Sequence, residues 1–138
     1  MTLSNNLSWK DARDNFIGKT NPLDATIGSI RRTLYENKNI LGLDEVSQGM
    51  NGVHLSAGPV EALIELKRFN SNFNDKKLIK DYSDFSYGTT LKENFNGSFD
   101  EIVNNVNVID NGKSTSIFDL TEEKDSEVAL NILKKHFN

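Results

Sequence analysis

The chain of 138 residues contains no cysteine, which excludes disulfide bonds and thiolate metal ligands. It also lacks an apolar run of about eighteen residues, so the sequence predicts no membrane-spanning helix. Residues 1–9 do not show the basic-then-apolar order of a secretory signal. From these absences we expect a soluble, cytoplasmic protein without a membrane partner.

Histidine is also scarce, because only His54 and His136 are present. Neither histidine belongs to a spacing that is typical of zinc sites. Ser56 is close to His54 in sequence but lacks the Gly-x-Ser-x-Gly elbow of a nucleophilic serine. The sequence therefore predicts a protein that is not an enzyme, with no catalytic residue, no metal site and no cofactor. A small-ligand site that uses His54 and Arg31 around residues 37–58 stays an alternative.

The pattern of apolar residues predicts an α+β fold that is predominantly helical, with about five helices and a small antiparallel hairpin before the C-terminal helix. The chain is long enough for one hydrophobic core, and we expect a single globular domain over residues 1–138. The two prolines, Pro22 and Pro59, stand where helices are expected to begin. The predicted helical segments are 8–18, 22–36, 59–70, 90–96 and 121–137, with a helical turn at 44–48 inside the irregular stretch 37–58 and a further helix from Asn74.

Two of these helices are predicted from their apolar faces. The helix over 22–36 follows from a single stripe with helical spacing. The helix over 59–70 has a broader apolar face, so we expect it to be the central and most buried helix. The apolar stripe of the helix predicted over 22–36 consists of Leu23, Ile27, Ile30 and Leu34.

Residues 98–109 fit either a helix or a strand. The pair Asn111-Gly112 favours a type I′ hairpin turn, because both residues accept positive φ angles. We therefore expect a helical turn over 98–102 and then a hairpin of 103–109 with 114–120. The paired residues are then Val106 with Ile117 and Val108 with Thr115.

The acidic residues are concentrated late in the chain. Residues 81–138 hold eleven acids and five lysines, whereas residues 1–80 hold eleven bases and nine acids. A one-sided field of this kind steers basic partners and repels nucleic acid, so we expect a basic protein partner and no nucleic-acid partner. A merely solubilising surface is the alternative. The predicted partner-binding residues are Asp81, Asp84, Asp100, Glu101, Asp119, Glu122, Glu123 and Asp125.

The stretch from Leu43 to Gln48 (LDEVSQ), the glycines after it and the apolar segment from Pro59 to Phe69 resemble immunity proteins of bacterial contact-dependent growth inhibition systems. The resemblance implies a toxin-neutralising immunity protein. Together with the acidity, it leads to the hypothesis that this protein binds a basic toxin domain, in its sharpest form a nuclease, through an acidic surface. The alternative hypothesis is a phage or mobile-element adaptor or assembly protein that acts by protein–protein interaction.

Overall fold

The computed structural model describes residues 7–70 and 81–137. Among these residues, helices dominate and one two-stranded antiparallel sheet precedes the C-terminal helix, which confirms the predicted fold class. The chain divides into two compact units, Met1–Leu55 and Ser56–Asn138, called unit 1 and unit 2 below. The single-domain organisation stays a prediction. No helix within the described residues combines the length and the apolarity needed to cross a membrane.

Unit 1 begins with the predicted first helix. Helix α1 (Trp9–Asp11) continues into a π-helical turn, Ala12–Ile17. The Ser8 side chain accepts a hydrogen bond from the Asp11 amide, as expected of an N-cap. Gly18 ends the helix with a φ of 94°, a conformation that glycine adopts without strain.

The single helix predicted over 22–36 is wrong. A 3₁₀ turn, Pro22–Asp24, is followed by extended backbone at Ala25, and helix α2 (Ile30–Glu36) starts only later. Gly28 has a φ of 87°, and the buried Ser29 caps α2 by accepting from the Arg32 amide. The apolar spacing is helical, but a second N-cap inside it divides the segment. As a result Leu23 and Ile27 leave the helix and are exposed.

Residues 37–58 contain no helix and no strand, as expected of an irregular segment. The helical turn predicted over 44–48 is wrong, because the chain reverses there. Ser47 and Met50 exchange two backbone hydrogen bonds of 3.2 and 3.1 Å. The Asn51 amide group fixes the turn by donating to the Thr20 and Gln48 carbonyls, both at 3.2 Å.

Unit 2 is built around helix α3 (Pro59–Asn70), which confirms the predicted central helix. Val60 and Leu63 are buried on α3 and pack with side chains from the four later helices. The backbone also approaches closely, since a Cβ on Gly58 would lie 2.3 Å from the Thr121 carbonyl oxygen. The other buried members of this core are Leu91, Phe95, Phe99, Ile102, Ile117 and Leu133.

Helix α4 (Ser86–Asn94) starts four residues before the predicted start at Thr90. A capping box formed by Asp81 and Asp84 opens a 3₁₀ turn, Tyr82–Asp84, and α4 begins directly after it. The Thr90 hydroxyl donates to the Ser86 carbonyl inside the helix instead of capping it. The helix predicted from Asn74 lies outside the described residues.

Helix α5 (Phe99–Val103) and a short hairpin resolve the ambiguity over 98–109 as predicted, with strands β1 (Asn107–Asp110) and β2 (Lys113–Ser116). Val108 pairs with Thr115, and the Val106 carbonyl accepts from the Ile117 amide at 3.2 Å. The register was therefore predicted correctly, although both strands are shorter than expected.

The second strand stops early because a further helix, α6 (Ile117–Thr121), begins there. The Ser116 side chain caps α6, and the Asn105 side-chain oxygen accepts from the Phe118 amide at 2.9 Å. The last helix, α7 (Ser126–Phe137), starts five residues later than predicted, because Glu123 adopts a φ of 55°. Glu122 and Glu123 therefore lie between two helices and do not open one.

Candidate functional site

The eight carboxylates predicted to bind a partner all lie in unit 2. Unit 2 contains fourteen acids and ten lysine or arginine residues, whereas unit 1 contains six of each. The formal net charge of −4 is therefore carried entirely by unit 2. A partner that is attracted by this charge would meet unit 2 first.

The first group of predicted residues surrounds the starts of α4 and α5. The Asp84 carboxylate accepts from the Asp81 amide at 3.0 Å. The Lys92 amino group binds the Asp81 carboxylate and lies 5.3 Å from the centre of the Phe99 ring. Because Asp100 directly follows Phe99, these contacts bring the first turn of α5 near Asp81 and Asp84.

The residues of this group do not contribute equally to its negative field. The Lys92 ammonium and the Ser83 amide hold the pKa of Asp81 well below its usual range. Asp81 is thus ionised but largely balanced by a lysine. Asp100 and Glu101 are exposed in the first turn of α5, and within the described residues no base pairs with either carboxylate. They are the uncompensated charges of the first group.

The second group lies between the start of α6 and the start of α7. It consists of Asp119, Glu122, Glu123 and Asp125. The Asp119 carboxylate accepts from the Ser116 hydroxyl at 2.7 Å, so this residue takes part in capping α6. The Glu123 amide donates to the Ala57 carbonyl at 2.9 Å, which places the group beside the first turn of α3.

The two groups border different parts of α3. The second group lies beside Ala57 and Gly58, just before α3 begins. The first group borders α3 further along, where the Lys67 amino group lies 3.9 Å from the centre of the Tyr82 ring. Gly58 and Lys67 are nine residues apart, which at about 1.5 Å per residue corresponds to roughly 13 Å along the helix axis. The predicted carboxylates thus form two groups on unit 2.

Unit 1 contains a feature that the sequence analysis missed, an apolar groove of about 450 Å³. One wall is α2 and the other is the segment that follows it. None of the residues of α2 is fully buried, and its apolar residues Ile30 and Leu34 line this groove. The residues that line it are Gly28, Ile30, Thr33, Leu34, Ile40 and Leu41, with Asn37 between the walls.

The surroundings of the groove are also apolar. Ile27 is 82% exposed and Ile40 is 85% exposed. Of the twelve large exposed hydrophobic residues in the described part of the chain, nine lie in unit 1 and three in unit 2. The groove itself brings the exposed residues Ile30, Ile40 and Leu41 together, and an exposed apolar surface of this kind is typical of a protein interaction site. The pair Ile40-Leu41 in an irregular segment was the sequence signal that could have revealed it.

Of the residues considered for a small-ligand site, Arg31 and Ser56 have structural roles. The Arg31 guanidinium donates to the Gly18 and Val53 carbonyls, both at 2.8 Å. The Ser56 hydroxyl donates to the Glu65 carboxylate at 2.5 Å, and His54 is exposed. Within residues 7–70 and 81–137, no three histidine or acidic side chains are arranged to hold a metal ion.

Comparisons with protein-family models, with curated proteins and with solved structures find no match to this chain. The resemblance to immunity proteins therefore stays a prediction. What can be said about function depends on the two carboxylate groups of unit 2 and the apolar groove of unit 1.

Proposed function

We propose that this protein acts by binding another protein, and that it is an immunity-type inhibitor that covers a basic toxin domain with the acidic surface of unit 2. The observation that supports the proposal is the confinement of the net charge to unit 2, where Asp100 and Glu101 are exposed and have no basic partner among residues 7–70 and 81–137. A nuclease is the sharpest form of the toxin, because a nuclease must present a positive surface to hold phosphate.

Electrostatic attraction supplies the physical basis of such inhibition. The field of unit 2 steers a basic domain toward it and raises the association rate. The carboxylates of unit 2 then lie against the toxin's active face and take the place of nucleic-acid phosphates. Asp100 with Glu101, and Glu122 with Glu123, are the adjacent acidic pairs of the first and second groups. Each pair contributes part of the attraction that steers the toxin domain toward unit 2.

Charge reversal tests this proposal. The double variants Asp100→Lys with Glu101→Lys, and Glu122→Lys with Glu123→Lys, are each compared with the wild type. The binding partner in the assay is a basic nuclease domain, which the proposal expects to be encoded beside this protein's gene. We expect association at low salt to slow by roughly tenfold, because each variant removes attraction and adds repulsion. Stopped-flow fluorescence at several salt concentrations provides the measurement.

Unit 1 supplies a matched control. Asp44 and Glu45 are adjacent and exposed there, so Asp44→Lys with Glu45→Lys changes the net charge by the same amount at another place. If this control slows association as much as the unit 2 variants do, only the total charge matters. Unchanged rates in all three variants would show that the acids merely solubilise the protein.

An adaptor or assembly protein is the second candidate function, and the apolar groove of unit 1 favours it. Binding through that groove would depend weakly on salt, because apolar contacts carry no net charge. The toxin-inhibitor proposal expects the opposite, an association rate that falls steeply as salt increases. Salt dependence of the association rate therefore separates the two functions.

A further inference from the structure

The sequence contains three Asn-Gly pairs, at 51–52, 96–97 and 111–112. Asparagine is chemically labile before glycine, because glycine has no Cβ to obstruct the approach of its backbone nitrogen to the asparagine side chain. The nitrogen loses its proton to hydroxide and attacks Cγ, so that a C–N bond forms and ammonia leaves. Water then opens the succinimide ring at one of its two C–N bonds and leaves aspartate or isoaspartate.

The pair Asn111-Gly112 stands open at the tip of the hairpin. The last pair of the ladder is Asp110 with Lys113, so the Gly112 amide lies outside the ladder. Both residues of the turn are exposed, and a Cβ on Gly112 would have no atom within 4 Å. The Asn111 side-chain amide donates to the carboxylate of its neighbour Asp110 at 3.0 Å. Within the described residues, that bond is the one that must break before the Asn111 side chain can turn onto the Gly112 nitrogen.

The pair Asn96-Gly97 is equally accessible in the turn between α4 and α5. The Ser98 amide donates to the Phe95 carbonyl at 2.9 Å across this turn, and both central residues are exposed. A Cβ on Gly97 would also have no atom within 4 Å. In the part of the chain that the structure describes, no hydrogen bond holds the Asn96 side chain. Rotation of that side chain therefore suffices to bring Cγ to the Gly97 nitrogen.

The third pair, Asn51-Gly52, is held by its surroundings in unit 1. The Asn51 side-chain amide donates to both the Thr20 and the Gln48 carbonyls. Gly52 packs closely against α2, since a Cβ on it would lie 2.3 Å from the Leu34 side chain. Turning Asn51 toward the Gly52 nitrogen would break both hydrogen bonds. Reaction at this pair therefore requires local opening of unit 1.

From these observations we infer that Asn96 and Asn111 are sites of spontaneous deamidation in the folded protein, whereas Asn51 is protected although the same residue follows it. Both reactive sites lie in unit 2, which has fourteen acids and ten bases. Each event replaces a neutral amide by a carboxylate, so the net charge of unit 2 changes from −4 to −5 and then to −6. This inference goes beyond the proposed function, since it concerns the covalent chemistry of the chain and needs no partner.

Incubation of the full chain at about 37 °C and about pH 8 provides the test, with trypsin digestion and fragmentation mass spectrometry as the measurement. Residues 93–113 form one tryptic fragment that contains both reactive sites and Asn107, which precedes a valine and serves as the slow reference. In the folded chain, Asn96 and Asn111 should convert at least roughly tenfold faster than Asn51. In denaturant all three should convert at similar rates, because each precedes glycine and the protecting contacts are gone.

The variant Gly97→Ala gives a matched control within one fragment. The φ of Gly97 lies outside the left-handed region and the space beside it is open, so alanine fits there without strain. The added Cβ obstructs the attacking nitrogen, and conversion of Asn96 should slow by roughly tenfold or more. Asn111 should keep its wild-type rate in the same molecule.

Two results overturn the inference. If Asn51 converts as fast as Asn96 and Asn111 in the folded chain, its two hydrogen bonds do not protect it. If either Asn96 or Asn111 converts no faster than Asn107, the turn at that site holds the side chain away from its glycine. Neither result would affect the charge-reversal test of unit 2, which reports on toxin binding alone.

Discussion

The two units of this protein are held together in different ways. In the described part of unit 2 nine hydrophobic residues are buried, and most of them form one core around α3. In the described part of unit 1 the buried hydrophobic residues are Ile17, Ala25 and Val46, and polar contacts connect its segments. The Arg31 guanidinium and the Asn51 amide each join two backbone carbonyls there. Apolar burial therefore stabilises unit 2, whereas hydrogen bonds between side chains and backbone organise unit 1.

The same difference extends to the surface. Unit 2 uses its apolar residues internally and exposes charge, while unit 1 is neutral and exposes most of the large apolar residues that are accessible. A chain that exposes apolar surface gives up burial free energy of about 25 cal/mol per Å². An interface that covers the apolar surface recovers that free energy. Unit 1 therefore suggests an apolar contact with a partner, whereas unit 2 suggests an electrostatic one.

Removing an apolar side chain from the core of unit 2 should have the largest effect. Leu91 is fully buried on α4, and Leu91→Ala should lower the free energy of unfolding by about 3 kcal/mol. Leu23→Ala, at a residue of unit 1 that is 54% exposed, should change it by less than about 0.5 kcal/mol. Urea unfolding followed by far-UV circular dichroism measures both. Equal effects would contradict the division between a buried core and an exposed apolar surface.

An intermediate effect is expected in unit 1 when Arg31 is replaced. Arg31→Gln removes two charged hydrogen bonds to the Gly18 and Val53 carbonyls, and we expect a loss of about 2 kcal/mol. Trp9 is the only tryptophan and lies in unit 1, so its fluorescence reports unfolding of this unit. Lys10→Gln, which breaks an exposed ion pair with Asp14, removes the same charge and should cost less than about 0.5 kcal/mol. A similar loss in both variants would show that the two hydrogen bonds of Arg31 stabilise the fold no more than an exposed ion pair does.

The sequence predicted those elements whose signals are local. The helix start at residue 8, the Pro59 helix start and the hairpin turn at Asn111-Gly112 each depend on a few neighbouring residues, and each is present. The register of Val108 with Thr115 follows directly from that turn.

The failures had two kinds of cause. The break before α2 has local signals, Gly28 with its positive φ and the Ser29 cap, but the regular apolar spacing of the segment outweighed them in the prediction. The start of α6 is supported by the side chain of Asn105, which accepts a hydrogen bond from the Phe118 amide, thirteen residues away in the chain. The carboxylates could be named from composition, but their division into two groups depends on the path of α3. The groove of unit 1 could not be predicted from the stripe alone, because one of its walls is formed by Ile40 and Leu41 in the irregular segment that follows α2.

The smallest expected effect concerns the charge balance of unit 2, at the ion pair of Asp81 with Lys92. The Lys92 ammonium, followed by the Ser83 amide, lowers the pKa of Asp81 below the ordinary value of 3.8. A lowered pKa in the folded state means that this carboxylate stabilises the fold above pH 3.8, and that the contribution is lost as pH falls toward the folded-state pKa. Asp81 is exposed, so the stability change should be small, and NMR titration of its carboxyl carbon is the appropriate measurement.

Two lysine variants determine whether this pair sets the ionisation of Asp81. Lys92→Met should raise the pKa of Asp81 toward 3.8, because the first and largest cause of its lowering is removed. Lys113→Met removes a lysine from the hairpin of the same unit and should leave the titration unchanged. If neither variant moves the titration, Lys92 does not hold the carboxylate in solution. Asp81 would then join Asp100 and Glu101 as a charge available to a basic partner, and the contrast between the units would be sharper still.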